Sequence, residues 1–255
     1  MYNFLIFAFL FFIGSVMGWV IELIFRRFFS SGNPERKWIN PGFCMGPYLP
    51  LYGTGLCILY TIASLEKYIL TDNPVLSRIA VFLIMAVSMT VIEYIAGLMM
   101  LKWSKVRLWD YRDEWGNLQG IICPKFSLFW AILGAIYYFL IHPYIVDALM
   151  WFSDNLAFSF FIGLFFGVFI IDVCYSLQIT VKIKKFAEEN NVIVRYENLK
   201  YEIKRRYGKT KQKYHFFRPF HSDRALLEHL KDLKESFETK TKRKNKKKGD
   251  ICAYI

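Results

Sequence analysis

Residues 79–101 read IAVFLIMAVSMTVIEYIAGLMML. One acid, Glu93, and no base interrupts the run. About 20 such residues, rising 1.5 Å each, cross the ~30 Å hydrocarbon core of a bilayer. Four other blocks read similarly, at 4–25, 46–65, 126–141 and 156–181. The block at 46–65 is broken by Pro47, Pro50, Gly53 and Gly55. The block at 126–141 is short unless it continues past His142-Pro143. Hydrophobic residues make up 55% of the chain and aromatics 19%, too apolar for an ordinary soluble domain. The fold class expected is all-α: a polytopic membrane bundle of about five helices with a helical, basic cytoplasmic tail. The first block has no base before it and no small-residue cleavage site after it, so it reads as an anchor and not a signal peptide.

Charge divides the chain in two. Residues 1–181 hold 11 basic and 11 acidic residues, so the formal net charge of +12 lies wholly in 182–255. The first unit reads as the transmembrane domain and the second as a basic cytoplasmic tail. Basic residues resist translocation. The loop 26–45 carries Arg26, Arg27, Arg36 and Lys37, and the loop 102–125 carries Lys102, Lys105, Arg107, Arg112 and Lys125. The remaining two loops share only Lys67 and Arg78. Five crossings with both basic loops inside place the N-terminus outside and the C-terminus in the cytoplasm. In the tail, 182–207 reads as a helix continuing from the last span, with Phe186, Leu199, Ile203 and Tyr207 on one side and Gly208 ending it. An aromatic–basic linker at 214–220 and a short helix after Ser222 or Asp223 follow. Residues 240–248 are almost continuously basic, which implies disorder and binding to anionic lipid head groups rather than to nucleic acid.

The cysteines, Cys44, Cys57, Cys123, Cys174 and Cys252, fall outside the predicted external loops and read as free thiols. No Cys-x-x-Cys pair or metal-ligand spacing occurs, so no metal or other cofactor is expected.

Three acids stand inside the apolar blocks: Glu22, Glu93 and Asp172. A carboxylate near the bilayer centre costs about 2.5–3.5 kcal/mol on insertion scales and usually faces the bundle interior. Gly14, Gly18 and Glu22 share one helical face, where small residues let another helix approach closely. Glu22 has two readings, a pair with Arg26 one turn below or a member of a polar site. Thr90, Glu93 and Gly97 share a face of the third block, with Glu93 either a structural hydrogen-bonding group or a functional one. Asp172 lies roughly opposite Gly163 on the wheel. If Gly163 and Gly167 pack on one neighbour, Asp172 must face another, or a cavity.

Two connections carry further signals. Gly46, Pro47, Tyr52, Gly53 and Gly55 lie in a run too rich in Gly and Pro to start a regular helix. It is either a re-entrant segment or a surface loop with a helix beginning near Leu51. The other run, Trp109-Asp110-Tyr111, Trp115-Gly116-Asn117 and Gly120, combines interfacial aromatics with a turn signal. It reads as an interfacial cap, or as a contributor of Asp110 and Asn117 to a polar site shared with Glu22 and Glu93.

Together, Gly18, Glu22, Gly46-Pro47, Tyr52-Gly53, Gly55, Glu93, Trp109-Asp110-Tyr111, Asn117, Gly120 and Trp130 resemble the bacterial family of type IV ABC-transporter permeases. The resemblance covers roughly 5–145, and the Trp-Asp-Tyr…Asn…Gly segment is its most specific part. It implies a permease component in the bacterial plasma membrane, among membrane lipids, with a nucleotide-binding subunit and further copies of the chain as partners. The chain has no Gly-rich phosphate loop, so ATP hydrolysis would need another subunit. Glu22, Glu93, Asp110, Asn117 and Asp172 would then line a polar site open to the cytoplasm, and no catalytic residue is assigned. Two other readings remain open. One is a membrane-embedded enzyme acting on a lipid or lipid-linked substrate. The other is a non-catalytic scaffold or sensor that signals through the tail.

Overall fold

A computed structural model describes residues 2–30, 33, 35–68, 73–190 and 192–200. Ile203, Tyr207, the 214–220 linker, the helix expected after Ser222 and the basic run at 240–248 lie outside the described residues. The fold is a bundle of α-helices, as the apolar blocks require: α1 (Tyr2–Phe28), α2 (Pro50–Ser64), α3 (Pro74–Ser104), α4 (Pro124–Ile136), α5 (His142–Asp154) and α6 (Ser159–Glu189). Two very short strands, β1 (Val106–Arg107) and β2 (Val194–Arg195), pair in parallel.

Four helical lengths are long and apolar enough to cross a membrane: Asn3–Phe28, Pro74–Ser104, Pro124–Asp154 and Leu156–Glu189. α3 is well delimited. Pro74 occupies its first turn, and the Asn73 side chain accepts from the Val75 N–H at 2.9 Å. Lys105 closes it in the left-handed conformation (φ 53°), its N–H returning to the Leu101 carbonyl. The block at 126–141 does continue past His142-Pro143. A π turn at Tyr137–Ile141 joins α4 to α5. Proline lacks an N–H and crowds the preceding turn, so a wider turn just before Pro143 lets the helix pass through it.

The second block departs from the expected spanning helix. α2 has only 15 residues, about 22 Å at 1.5 Å each, too short for the ~30 Å core. It begins beside the middle of α1, where the Leu49 N–H donates to the Ser15 carbonyl at 2.9 Å. From there it runs antiparallel to α1, with Tyr52 at Gly18, Leu56 at Gly14 and Tyr60 at Phe7. The preceding residues 40–49 are non-helical, so this stretch is half loop and half helix. The close approach expected of Gly14 and Gly18 is present. A Cβ on Gly18 would sit 2.2 Å from Tyr52 Cβ, and one on Gly53 would sit 2.2 Å from Ser15 Oγ.

Between α2, α3 and α4 a core gathers Leu59, Val81, Met85, Met89, Trp130 and Tyr137. α6 stands apart, with only 6% of its apolar window buried. It meets α1 through rings, Phe11 on Phe166 and Phe12 on Phe165. Nothing lies within 4 Å of where a Cβ on Gly163 or Gly167 would be, so those glycines do not form a packing face.

The expected helix from 182 to 207 is also corrected. α6 passes 181 but stops at Glu189, where the Asn190 N–H and side chain both donate to the Phe186 carbonyl. The chain then turns back, and β2 joins β1 in the register Val106 to Val194. The β-branched Val192-Ile193-Val194 favours extended backbone over helix. Reversal carries Val194, Tyr196 and Leu199 onto Ile179, Ile183 and Phe186, in one buried cluster at the end of the bundle that holds the basic loops. Phe186 and Leu199 therefore do share an apolar surface, across a turn rather than along one helix.

Candidate functional site

Two polar centres form on this frame. The first holds residues 40–49 beside the middle of the bundle. Backbone groups away from water need partners within the protein. The N–H groups of Met45 and Gly46 donate to the Asp172 carboxylate of α6 at 3.0 and 2.7 Å. The Tyr48 hydroxyl donates to the same carboxylate, and Ser176 donates to it at 3.1 Å. Asn40, 2% exposed, stitches the loop from within. Its amide oxygen accepts from the Gly42 N–H and the Trp19 indole, while its NH₂ donates to the Cys44 and Met45 carbonyls. On the carbonyl side, Tyr196 donates to Phe43 O at 3.3 Å. Lys200 Nζ donates to Asn40 O at 3.1 Å and to Gly42 O.

Lys200 is 3% exposed, and among the described residues it makes no ion pair. Burial, and then the neighbouring Arg26 charge, pull its pKa down from 10.5 to about 7. The Tyr196 ring, 4.5 Å away, and the more distant Glu197 and Asp172 carboxylates favour the charge but do not offset its burial.

The second centre is acidic. Arg26 Nε donates to Glu22 at 2.8 Å, and the Tyr52 hydroxyl donates to the other Glu22 oxygen at 3.0 Å. Tyr52 also lies within electrostatic reach of Glu93 and packs against Trp130 with centroids 4.9 Å apart. The Tyr111 hydroxyl donates to Glu93 Oε1 at 3.1 Å, and its ring stacks on Phe126. Glu93 is 3% exposed; the Trp130 indole also faces its carboxylate, and its Oε2 makes no close hydrogen bond. That oxygen can take a proton or accept from a ligand donor. Arg26 extends the chain outward, pairing with Glu197 at 3.1 Å, which also accepts from Ser30 at 3.0 Å.

Glu22 and Glu93 are thus brought into one cluster, and the pairing of Glu22 with Arg26 is present within it. Asp172 belongs to the loop clamp. Asn117 serves its own loop, and Asp110 ties that loop to β2. Asp110 is bound by Arg112 at 2.5–3.1 Å and paired with Arg195 at 2.8 Å. Burial raises its pKa, but the Arg112 hydrogen bonds and the Arg195 charge outweigh that and hold it below the usual range. Asn117 donates to the Arg112 and Glu114 carbonyls and accepts from the Gly120 N–H. Gly120 has φ +67°, and a Cβ there would meet Arg112 Cγ at 2.4 Å. Trp109 donates to Ile121 O at 2.8 Å, and Ile121 covers Gly97 of α3. Gly46 supplies an N–H to the clamp, and a Cβ on it would strike the Tyr48 ring.

Sequence reading passed over Asn40, Tyr48, Tyr196, Glu197 and Lys200. Asn40-Pro41-Gly42 carried a turn signal, but nothing local marks one lysine among the many of the tail.

Among the described residues, one small cavity lies where the two centres meet and a larger one lies apart from them. One of about 20 Å³, room for one water, is lined by Arg26, Asn33, Asn40, Tyr196, Glu197 and Lys200. The other is an apolar groove of about 310 Å³ between Phe4, Phe7, Phe11, Thr54, Cys57 and Phe166. Among the described residues no group of three His, Cys, Asp or Glu is placed to hold a metal.

No curated protein and no solved structure matches the chain. One protein family does, described as "Putative ABC-transporter type IV", over residues 9–177. The match runs beyond the motif-bearing 5–145 segment into α6, a range that includes position 172. Covering well over half of the 255 residues, it shows that this membrane chain belongs to that family.

Proposed function

We propose that the chain is the permease component of an ABC-type transporter in a bacterial plasma membrane. The observation that carries this reading is the interrupted second crossing. Residues 40–49 descend without helix to the level of Ser15, and α2 completes the crossing. Discontinuous spans that begin near the membrane midplane are a recurrent way to build a substrate or coupling site, because their free backbone groups face a cavity or a partner. Here that break is flanked by Glu22, Glu93 and Asp172. Those three acids form the polar path, with Asp110 and Asn117 shaping the loop that covers its cytoplasmic end.

Counting the loop and α2 as one crossing gives five, with the N-terminus outside and the tail inside. Arg26, Arg27, Lys37, Lys102, Lys105, Arg107, Arg112 and Lys125 then share the cytoplasmic side, and Lys67 and Arg78 the other. A nucleotide-binding subunit would dock on the cytoplasmic side, and the basic residues beyond 200 would hold anionic lipid. Purification from the native membrane in mild detergent is the test. Stoichiometric recovery of a nucleotide-binding subunit supports the permease, and its repeated absence from active protein counts against it. The enclosure of Glu93 by Tyr111 favours a second reading, a scaffold or sensor without a path. Under that reading Glu93→Gln leaves cellular function intact, whereas a proton- or ligand-carrying Glu93 fails as both Gln and Ala.

A further inference from the structure

The described part of the tail grips the interrupted crossing at two points. Lys200 enters from the cytoplasmic end and binds the carbonyls of Asn40 and Gly42, on the face of the loop opposite the N–H groups taken by Asp172. Three residues earlier, Glu197 pairs with Arg26 at 3.1 Å, Arg26 with Glu22 at 2.8 Å, and Glu22 accepts from Tyr52 at 3.0 Å. One helical turn, 196–200, therefore touches the loop directly and reaches the acidic cluster through a single arginine.

We propose that residues 192–200 are a latch through which the cytoplasmic face controls the loop 40–49 and the Glu22–Glu93 cluster, with Lys200 and Glu197 as its two prongs. The latch has the features of a releasable element. Its strand pairing covers only Val194 and Arg195, and beside it the Arg195–Asp110 ion pair at 2.8 Å is partly exposed. Its ammonium is buried against neutral carbonyls rather than a carboxylate, an arrangement that favours the charge less than solution does. Withdrawing it returns Lys200 to water, frees the two carbonyls and leaves Arg26 with Glu22 alone. The apolar contacts of Val192, Val194, Tyr196 and Leu199 with Ile183 and Phe186 supply the force that holds the latch closed. A motor subunit that competes for this surface would open the loop from the cytoplasm. That role rests on the transporter reading, but the closure itself does not.

Two buried cysteines report on it in the full-length protein. Cys44 sits in the gripped loop at 1% exposure, and Cys123 sits before α4 at 2%. With Cys57, Cys174 and Cys252 replaced by Ser, alkylation by a small membrane-permeant maleimide is followed at both sites. Lys200→Met should speed the Cys44 reaction by about tenfold or more, the scale of leaving two buried carbonyls without their donor, and leave Cys123 slow. Tyr196→Phe, which removes only the hydroxyl on Phe43 O, should raise Cys44 reactivity by about fivefold. Unchanged Cys44 reactivity in both variants overturns the latch. So does a parallel rise at Cys44 and Cys123, which would make Lys200 a support of the whole fold. Neither rate requires transport or a motor subunit, so failure here stays distinct from failure of the permease reading.

Discussion

The two irregular segments at the basic end of the bundle are built on opposite plans. The loop between β1 and α4 is tied mainly by its own residues, with Glu93 on Tyr111 and Arg195 on Asp110 as outside anchors. Asn117 binds Arg112, Glu114 and Gly120, Trp109 binds Ile121, and Asp110 binds Arg112. Residues 40–49 have Asn40 as an internal staple but depend on Trp19, Asp172, Tyr196 and Lys200, which are distant in sequence. The first loop carries its shape with it wherever the helices place it. The second has a position only while α1, α6 and the tail agree on one. A segment that must lie away from water yet be able to move is better served by the second plan, since shifting any one partner changes its stability.

Removing Asp172 should break the contrast most sharply. Asp172→Ala leaves the Met45 and Gly46 N–H groups and the Tyr48 hydroxyl without an acceptor. At about 1–3 kcal/mol per buried orphan, the loss should be about 4 kcal/mol, seen as a large drop in the thermal midpoint in detergent. A shift no larger than that of an exposed acid such as Glu188→Ala would remove the clamp from the account.

Next in size is the helix seat of the interrupted crossing. Gly18→Ala places a methyl 2.2 Å from Tyr52 Cβ and should destabilise by about 1–3 kcal/mol through overpacking. Gly163→Ala and Gly167→Ala meet open space and should change the same midpoint little. Equal effects at all three positions would mean that α6 packs on something in the membrane.

Asn117→Ala should cost about 1–2 kcal/mol, and its effect should stay local. Amide exchange should quicken across 107–122 and remain as it was at 40–49. Spread to the second loop would show that the two are coupled.

The smallest effect expected is one of pH. Lys200 faces Arg26, Glu197, Cys44, Asp172 and the Tyr196 ring. Its docked pKa of about 7 lies below the 10.5 of the free side chain, so the docked state holds fewer protons between those values. Docking of the tail should therefore strengthen as pH rises from about 7 toward 10.5 and weaken on acidification through that window. Measured as exchange of the 40–49 amides, the difference between wild type and Lys200→Met isolates this dependence. A flat difference from pH 7 to 9 would place Lys200 in water.

Much of this molecule is decided by local composition. An apolar run such as 79–101 must satisfy its own backbone in lipid, and only a helix does so within one segment; the class of fold follows from that alone. The same holds for a close helix approach at Gly14 and Gly18, which lie one turn apart on one face, though not for α2 as the partner. Glu22 and Glu93 could be singled out because an acid in an apolar block is costly wherever it ends up. Their company could not. That Tyr52 and Tyr111 bring these two together, that Asp110 meets Arg195 of β2, and that Asp172 faces residues 45–48 depend on pairings between residues far apart in sequence, up to 127 positions for Met45 and Asp172. Hydrophobic periodicity holds no record of such pairings, because it reports which face is buried and not against what. The reversal after Glu189 is the clearest case. Propensity permits a longer helix there, and the gain from burying Val194, Tyr196 and Leu199 on Ile183 and Phe186 exists only once α6 and β1 are in place.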